Sequence, residues 1–242
     1  MHDFDALVHD WEQRWRESIQ AWVTTQMAAA DSGHGLDHVR RVVFNAIGLA
    51  NAEKANISVV LPAAWLHDCV FVPKNSPQRS QASRLAADAA AIFLQSIDYP
   101  SAWIDAVYHC IQSHSFSANI PCETLEAKVV QDADRLEALG AIGLARCFMT
   151  GGAMRQRMLH PDDPFPVSRT PRDDEQSIDH FYAKLLGLHS TMQTDAGCKE
   201  ARRRSTFLIA FLRQLASEIP CDPTACEQSL RAFPSISTVQ QK

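Results

Sequence analysis

Long apolar runs are missing from this sequence: no segment approaches the roughly 18 uninterrupted apolar residues that a membrane span requires. Its opening, MHDFDALVHDWEQRW, has neither the basic patch nor the apolar stretch of a secretory leader, so the expected location is the cytoplasm. A C-x-x-C pair is absent too. Cys69, Cys110, Cys122, Cys147, Cys198, Cys221 and Cys226 are scattered, which sets aside the usual zinc and thiol-redox motifs and leaves these thiols expected as reduced and packed. Basic density is low: the formal net charge is -5, and the one dense cationic run, Arg202 to Arg204, is too short for a duplex-binding surface. Neither nucleic acid as an obligate partner nor a membrane is expected, whereas small phosphorylated ligands remain compatible. Alternating strand patterns, internal repeats and low-complexity tracts are lacking as well.

What is present is helical periodicity, in a chain of 242 residues that suits one core with a modest extension. From Asp3 to Ala30 the residues Phe4, Leu7, Val8, Trp11, Trp15, Ile19, Trp22 and Val23 form one apolar stripe of a long helix, so its tryptophans are read as core. A second helix is predicted from Leu36, burying Val39, Val42, Val43, Ala46, Ile47 and Ala50, and a third from Pro62 into His67 and Asp68. Val70 to Gln81 reads as a polar loop. Further helices are predicted over 83–97, 100–112 and 124–149, the last closed by Gly151 and Gly152. Residues 151–174, with four prolines, read as a surface excursion and a candidate lid, followed by helices over 174–188 and 195–219. The expected fold class is all-α. One helical domain over 1–219 is expected, with a core about 31–150, a C-terminal extension about 174–219 and a polar tail over 220–242.

Histidine and carboxylate side chains are the groups that hold a catalytic divalent cation while leaving a coordination position open. His38 sits in GHGLDHVRRV at the start of one helix, His67 and Asp68 end another in AAWLHDCVF, and Asp134 lies in KVVQDADRLEALG. Asp132 and Asp134 are about 200° apart around a helix, so one of them at most faces an ion. His34 and His38 are four apart and share a face only if the helix begins before the flanking Gly33 and Gly35.

The pattern H, then HD, then D in successive helices resembles that of the HD-domain superfamily of metal-dependent phosphohydrolases. The segments GHGLDHVRRV, LHDCVFVPKNSPQRSQASRLAA, QSHSF, EAKVVQDADRLEALGAIGLAR and MTGG extend the resemblance, over nearly the whole chain, to its bacterial YedJ-like branch. The resemblance implies an HD-type helical bundle with extra C-terminal helices. It selects His38, His67, Asp68 and Asp134 as metal ligands and leaves Asp132 to solvent or a supporting role. His34 is left as a substrate-side residue. A related small bacterial member is a pyrophosphohydrolase of nucleoside triphosphates, so a nucleotide is the implied substrate. Nucleoside monophosphates, cyclic nucleotides, alarmones and a non-catalytic nucleotide-sensing role are the alternatives. Manganese is the first expectation for the ion, with magnesium, iron, nickel, cobalt and zinc compatible with the same donors.

His109 and His114, five apart, are rotated by about 140° on one helix and do not share an ion. Some members of the resembled family use extra histidines here for a second metal, but this chain lacks their usual spacing, so one ion is expected, with His114 as a pocket residue and, beside Asp68, a candidate catalytic group. Lys74, Arg79 and Lys128 are cations near these motifs, suited to phosphate oxygens. Replacing Lys74 or Arg79 by Ala is expected to weaken turnover of phosphorylated substrates while metal content stays intact; unchanged kinetics would remove these residues from the substrate site.

Overall fold

The computed structural model describes residues 2–27, 35–72, 76, 78–115 and 118–233. Among them the regular elements are helices, and one isolated bridge, Arg157 to Gln176, is the only extended pairing. The chain is all-α, as expected. Its residues group into two compact units, one drawn from 1–134 and 193–197, the other from 135–192 and the chain from 198 onward. Among the described residues no helix is long and apolar enough to cross a membrane.

The first unit opens with the tryptophan-bearing stripe, which runs as α1 (His2–Trp11), a π-helical turn (Glu12–Arg16) and α2 (Glu17–Gln26). Trp11, Ile19 and Val23 are buried, while Trp15 and Trp22 are half-buried. Trp22 stacks on Phe93 at 4.3 Å between centroids, and Trp15 meets Tyr99 edge-on at 4.9 Å. α3 (Leu36–Glu53) buries the predicted Val39, Val42, Val43, Ala46 and Ala50. α4 (Ile57–Leu66), α5 (Ala82–Ser96), α6 (Ser101–His114) and α7 (Leu125–Arg135) follow. Every residue of α4 except Ser58 is buried, because the helix packs against α1, α2, α3, α5 and α6.

α4 corrects the predicted start at Pro62. Asn56 caps the helix by accepting the Ser58 N–H at 3.0 Å, so it begins five residues earlier and places Pro62 in its interior. A proline there supplies no N–H to the carbonyl four residues back, here that of Ser58. The Tyr99 hydroxyl takes the vacant role, donating to the Ser58 carbonyl at 2.6 Å, and itself accepts from Trp11 Nε1 at 2.9 Å. Burial pushes the Tyr99 phenol up to about 12, opposed by the Trp11 hydrogen bond, so the donor stays protonated at neutral pH.

The single helix predicted over 124–149 is two. α7 ends at Arg135, a 3-10 turn covers Leu136–Ala138, and α8 (Gly140–Ala153) starts afresh. The break lies at an extended Leu139 followed by Gly140 at φ +69°, a left-handed conformation that glycine adopts without strain. Gly151 and Gly152 lie inside α8 instead of closing it. Asp132, expected toward solvent or in support of the site, is fully buried and accepts from Gln193 N, Thr194 N and Thr194 Oγ1 at 2.7–3.1 Å. Thr194 in turn caps the following turn by accepting from Gly197 N at 3.0 Å. A Cβ at Gly197 would stand 2.3 Å from Asp132 Oδ2, so this approach requires glycine.

In the second unit Phe148, Phe181 and Phe211 meet at 5.9–6.4 Å between centroids. The stretch expected as a surface excursion is anchored there. Phe165 is fully buried, and the Arg169 guanidinium pairs with the buried Asp179 carboxylate while donating to the Asp163 carbonyl. The helix predicted over 174–188 shrinks to α9 (Asp179–Ala183) and a 3-10 segment, Leu185–Thr191. α10 (Asp195–Glu218) matches its prediction, but the expected polar tail contains α11 (Ala225–Leu230), whose Cys226 and Leu230 are buried. Residues 234–242 of that tail lie outside the described residues.

Tyr99→Phe leaves the Ser58 carbonyl and Trp11 Nε1 without this partner and is expected to cost about 1–3 kcal/mol in chemical denaturation. Adding Pro62→Ala restores an N–H for Ser58 and is expected to recover part of that loss. If Tyr99→Phe has no effect, the hydroxyl does not compensate for the proline.

Candidate metal centre

Four helix ends in the first unit converge. His38 lies in the first turn of α3, where its N–H bonds the Gly35 carbonyl at 2.9 Å. His67 and Asp68 follow directly on α4, His114 is the last residue of α6, and Asp134 is the penultimate residue of α7. The three rings are buried, at 4%, 0% and 5% exposure for His38, His67 and His114, and form the floor. The Asp68 and Asp134 side chains are 33% and 29% exposed, so the carboxylates form the open side.

His67 Nδ1 faces the Ala64 carbonyl at 2.9 Å, which can only accept, so this nitrogen carries the proton and Nε2 keeps its lone pair. That lone pair faces His38 Nε2 at 3.3 Å, Asp68 Oδ2 at 3.8 Å and Asp134 Oδ1 at 3.9 Å. His38 Nε2 is also 3.4 Å from Asp134 Oδ1. His67 Nε2 and Asp134 Oδ1 thus gather about His38 with at most one proton, from His38, to share, while Asp68 Oδ2 faces His67 Nε2 as well. Bond lengths of about 2.1 Å to a common ion separate neighbouring donor atoms by roughly 3.0–3.4 Å, and the observed spacings approach this. The donor set fits a divalent cation, with hard oxygens and borderline nitrogens together.

His114 is arranged differently. Its Nδ1 faces the Ile111 carbonyl at 2.6 Å and its Nε2 faces Asp68 Oδ1 at 3.4 Å, so both nitrogens meet acceptors, which favours the imidazolium. Burial opposes that charge, but the hydrogen bond and charge of Asp68 outweigh it and raise the His114 pKa. For His67, burial dominates and lowers the pKa. Burial works against the Asp68 and Asp134 charges as well, yet the surrounding histidines hold both carboxyls well below the usual carboxylate range.

Among the described residues, two groups of donors satisfy the spacing for an ion: His38, His67 and Asp134, and His67, Asp68 and His114. They share His67, whose Nε2 has a single lone pair, so they are alternatives and not two simultaneous sites. His109 points elsewhere, its Nε2 accepting the Glu123 N–H at 3.1 Å. Lys128 lies six residues before Asp134 on α7, about 120° around the helix and about 9 Å along it. Arg79 heads a 3-10 turn, Arg79–Gln81. His34, Lys74 and the side chain of Arg79 lie outside the described residues. Sequence reasoning missed the carbonyls of Ala64 and Ile111, because a backbone acceptor has no residue signature. The available signal is a histidine at a helix C-terminus, which reaches the carbonyl three residues back; His189 does the same with Leu186 at 2.8 Å.

Comparison with known proteins matches residues 35–139 to the HD domain family. The uncharacterized protein YpgQ of Bacillus subtilis is 34% identical over 214 residues, covering 86% of this chain and 96% of its own. Its crystal structure in complex with ADP aligns with a TM-score of 0.66 at 31% identity, over 84% of this chain and 94% of that one. An HD-superfamily hydrolase from Bacillus thuringiensis aligns with a TM-score of 0.67 at 34% identity, over 86% of this chain and 97% of its own.

Titration of the metal-stripped chain with manganese is expected to give one ion per chain. His67→Ala is expected to weaken binding by more than the roughly 10–100-fold that loss of an outer partner costs, whereas His114→Gln keeps the stoichiometry. Two ions per chain, or loss of the ion in His114→Gln, would make His114 a ligand.

Proposed function

Since the chain belongs to the HD-domain family of metal-dependent hydrolases, we propose that it is a phosphohydrolase of a nucleotide, with release of pyrophosphate from a nucleoside triphosphate as its reaction. The observation that carries this reading is the donor cluster of His38, His67 and Asp134 with Asp68 beside it, one carboxylate oxygen 3.8 Å from His67 Nε2 and the other 3.4 Å from His114 Nε2. The ADP in the crystal structure of YpgQ supports a nucleotide as ligand.

His38, His67, Asp68 and Asp134 would hold the ion, for which manganese is our first assignment. Such an ion, when bound, acidifies water and neutralises charge on phosphoryl oxygens. Asp68 has two tasks: Oδ2 lies on the ion side, while Oδ1 keeps His114 charged and in place. The attacking water enters on the exposed carboxylate side, since the imidazole floor is closed to solvent. His114 holds a proton on Nε2 at the edge of the cluster, where it can pass to the departing oxygen, which makes it the general acid. Lys74 and Arg79, in the segment that follows Asp68, are assigned to phosphate oxygens, with Lys128 and His34 as further substrate-side residues. The hydrolytic reading needs no serine or cysteine nucleophile, and burial with the Asp68 charge pushes the neighbouring Cys69 thiol up to about 12, far from a reactive thiolate. Seven free thiols suit a reducing compartment, and we assign the protein to the cytoplasm.

Metal-stripped protein resupplied with manganese, magnesium, cobalt or nickel should be offered nucleoside tri-, di- and monophosphates and cyclic nucleotides, beside an Asp68→Ala control. Pyrophosphate and a monophosphate are expected from the triphosphates, with activity abolished in the control and lowered about 100–10,000-fold in His114→Gln. Orthophosphate or ring opening would move the substrate to another nucleotide class. Tight nucleotide binding without turnover under any metal would make the protein a sensor.

A further inference from the structure

The last turn of an α-helix leaves four carbonyls without N–H partners in the helix, and in α6 these belong to Ile111, Gln112, Ser113 and His114. Side chains take three of them. The Ile111 carbonyl meets His114 Nδ1 at 2.6 Å, and the Gln112 carbonyl accepts from Ser83 Oγ at 2.9 Å. The Ser113 carbonyl accepts from Gln131 Nε2 at 2.8 Å, with Cys122 Sγ adding a longer contact at 3.6 Å.

Gln131 is singular among these because it joins the site's two sides. It lies on α7 three residues before Asp134, about one turn along the same helix, and its nitrogen holds the peptide immediately before His114. The side chain is 4% exposed. The Ser113 carbonyl can only accept, which turns the amide nitrogen toward it, and Oε1 at the other end accepts from Gln193 Nε2. A buried amide is costly unless both ends are paired, and an aliphatic side chain of that size would fill the same space with no such demand. What the amide adds is a fixed distance between the helix that carries Asp134 and the residue that ends α6.

We propose that Gln131 is a positioning residue: through the Ser113 carbonyl it sets where His114 stands against Asp68, and Gln193, bonded to the amide oxygen, locks the side chain in place. The kinetic consequence rests on the phosphohydrolase reading; the placement of His114 does not.

The test uses Gln131→Met, which keeps the volume and removes both hydrogen bonds, and Gln193→Ala, which removes only the lock. Full-length protein labelled with nitrogen-15 at histidine reports the ring nitrogens without added metal, and the His114 signals are assigned by their loss in His114→Gln. In Gln131→Met the His114 ring signals are expected to shift and its Nδ1 proton to exchange faster with water, while the His38 and His67 signals and the manganese stoichiometry stay as in the parent. Turnover is expected to fall about 10–100-fold in kcat with KM changed less than about threefold. Gln193→Ala is expected to move the same His114 signals by less. A Gln131→Met protein that loses thermal stability but keeps the His114 signals and kcat would overturn the proposal, since the amide would then serve packing alone. Should Gln131→Met fail to fold, unchanged His114 signals in Gln193→Ala overturn it, because the lock would not bear on the ring. If the parent turns over no nucleotide, the ring signals still decide the positioning role, and only the functional reading falls.

Discussion

A buried imidazole has two nitrogens on opposite sides of a ring, and each needs a partner once water is excluded. His67 and His114 meet that demand in the same way: each sits at the end of a helix and gives Nδ1 to the carbonyl three residues back. The remaining nitrogen then points away from the helix end in a direction fixed by the backbone. For two such nitrogens to approach Asp68 from different sides, α4 and α6 must pack closely, and they do. The burial of α4 on all sides, and the Trp11–Tyr99–Ser58 chain that makes its internal proline tolerable, are consequences of holding that helix in place.

One helix serves chemistry and architecture at once. Asp132 and Asp134 differ by two positions on α7, and the rotation that separates them sends one carboxylate to the histidines and the other to the backbone of Gln193 and Thr194. Gln131, between these two directions, faces α6. A short run, Gln131 to Asp134, thereby connects three parts of the first unit.

The all-α class and the phase of α3 were legible because periodicity carries them, and the set His38, His67, Asp68 and Asp134 was legible through the resemblance to the HD-domain pattern, since residue type alone left Asp132 and His34 open beside them. The helix boundaries were less so. Pro62 looked like a start because the residue that compensates for it, Tyr99, is far along the chain, 41 positions from the Ser58 whose carbonyl it takes. The break at Gly140 depends on a left-handed backbone angle, and sustained apolar periodicity through Leu136 and Leu139 masked it. The proline-rich stretch is largely at the surface, as its composition indicates, and what that composition does not reveal is its anchoring by one buried residue, Phe165, and by an ion pair between residues ten apart. Asp132 was open to several readings, since its partners are backbone N–H groups contributed some 60 residues later, and no sequence pattern marks them.

The first unit is not one stretch of chain: residues 193–197 belong to it, tied by Asp132, by Gln131 and by Glu53, whose carboxylate accepts the Ala196 N–H at 2.6 Å. During synthesis, therefore, the segment bearing the histidines emerges long before the strand of chain that completes its hydrogen bonds. Until Thr194 has left the ribosome, the buried Asp132 carboxylate lacks the Gln193 and Thr194 donors that compensate its burial. The nascent unit must wait in an incomplete state, and a truncation anywhere between Asp134 and Gln193 removes a piece of the first unit while appearing to remove only the second.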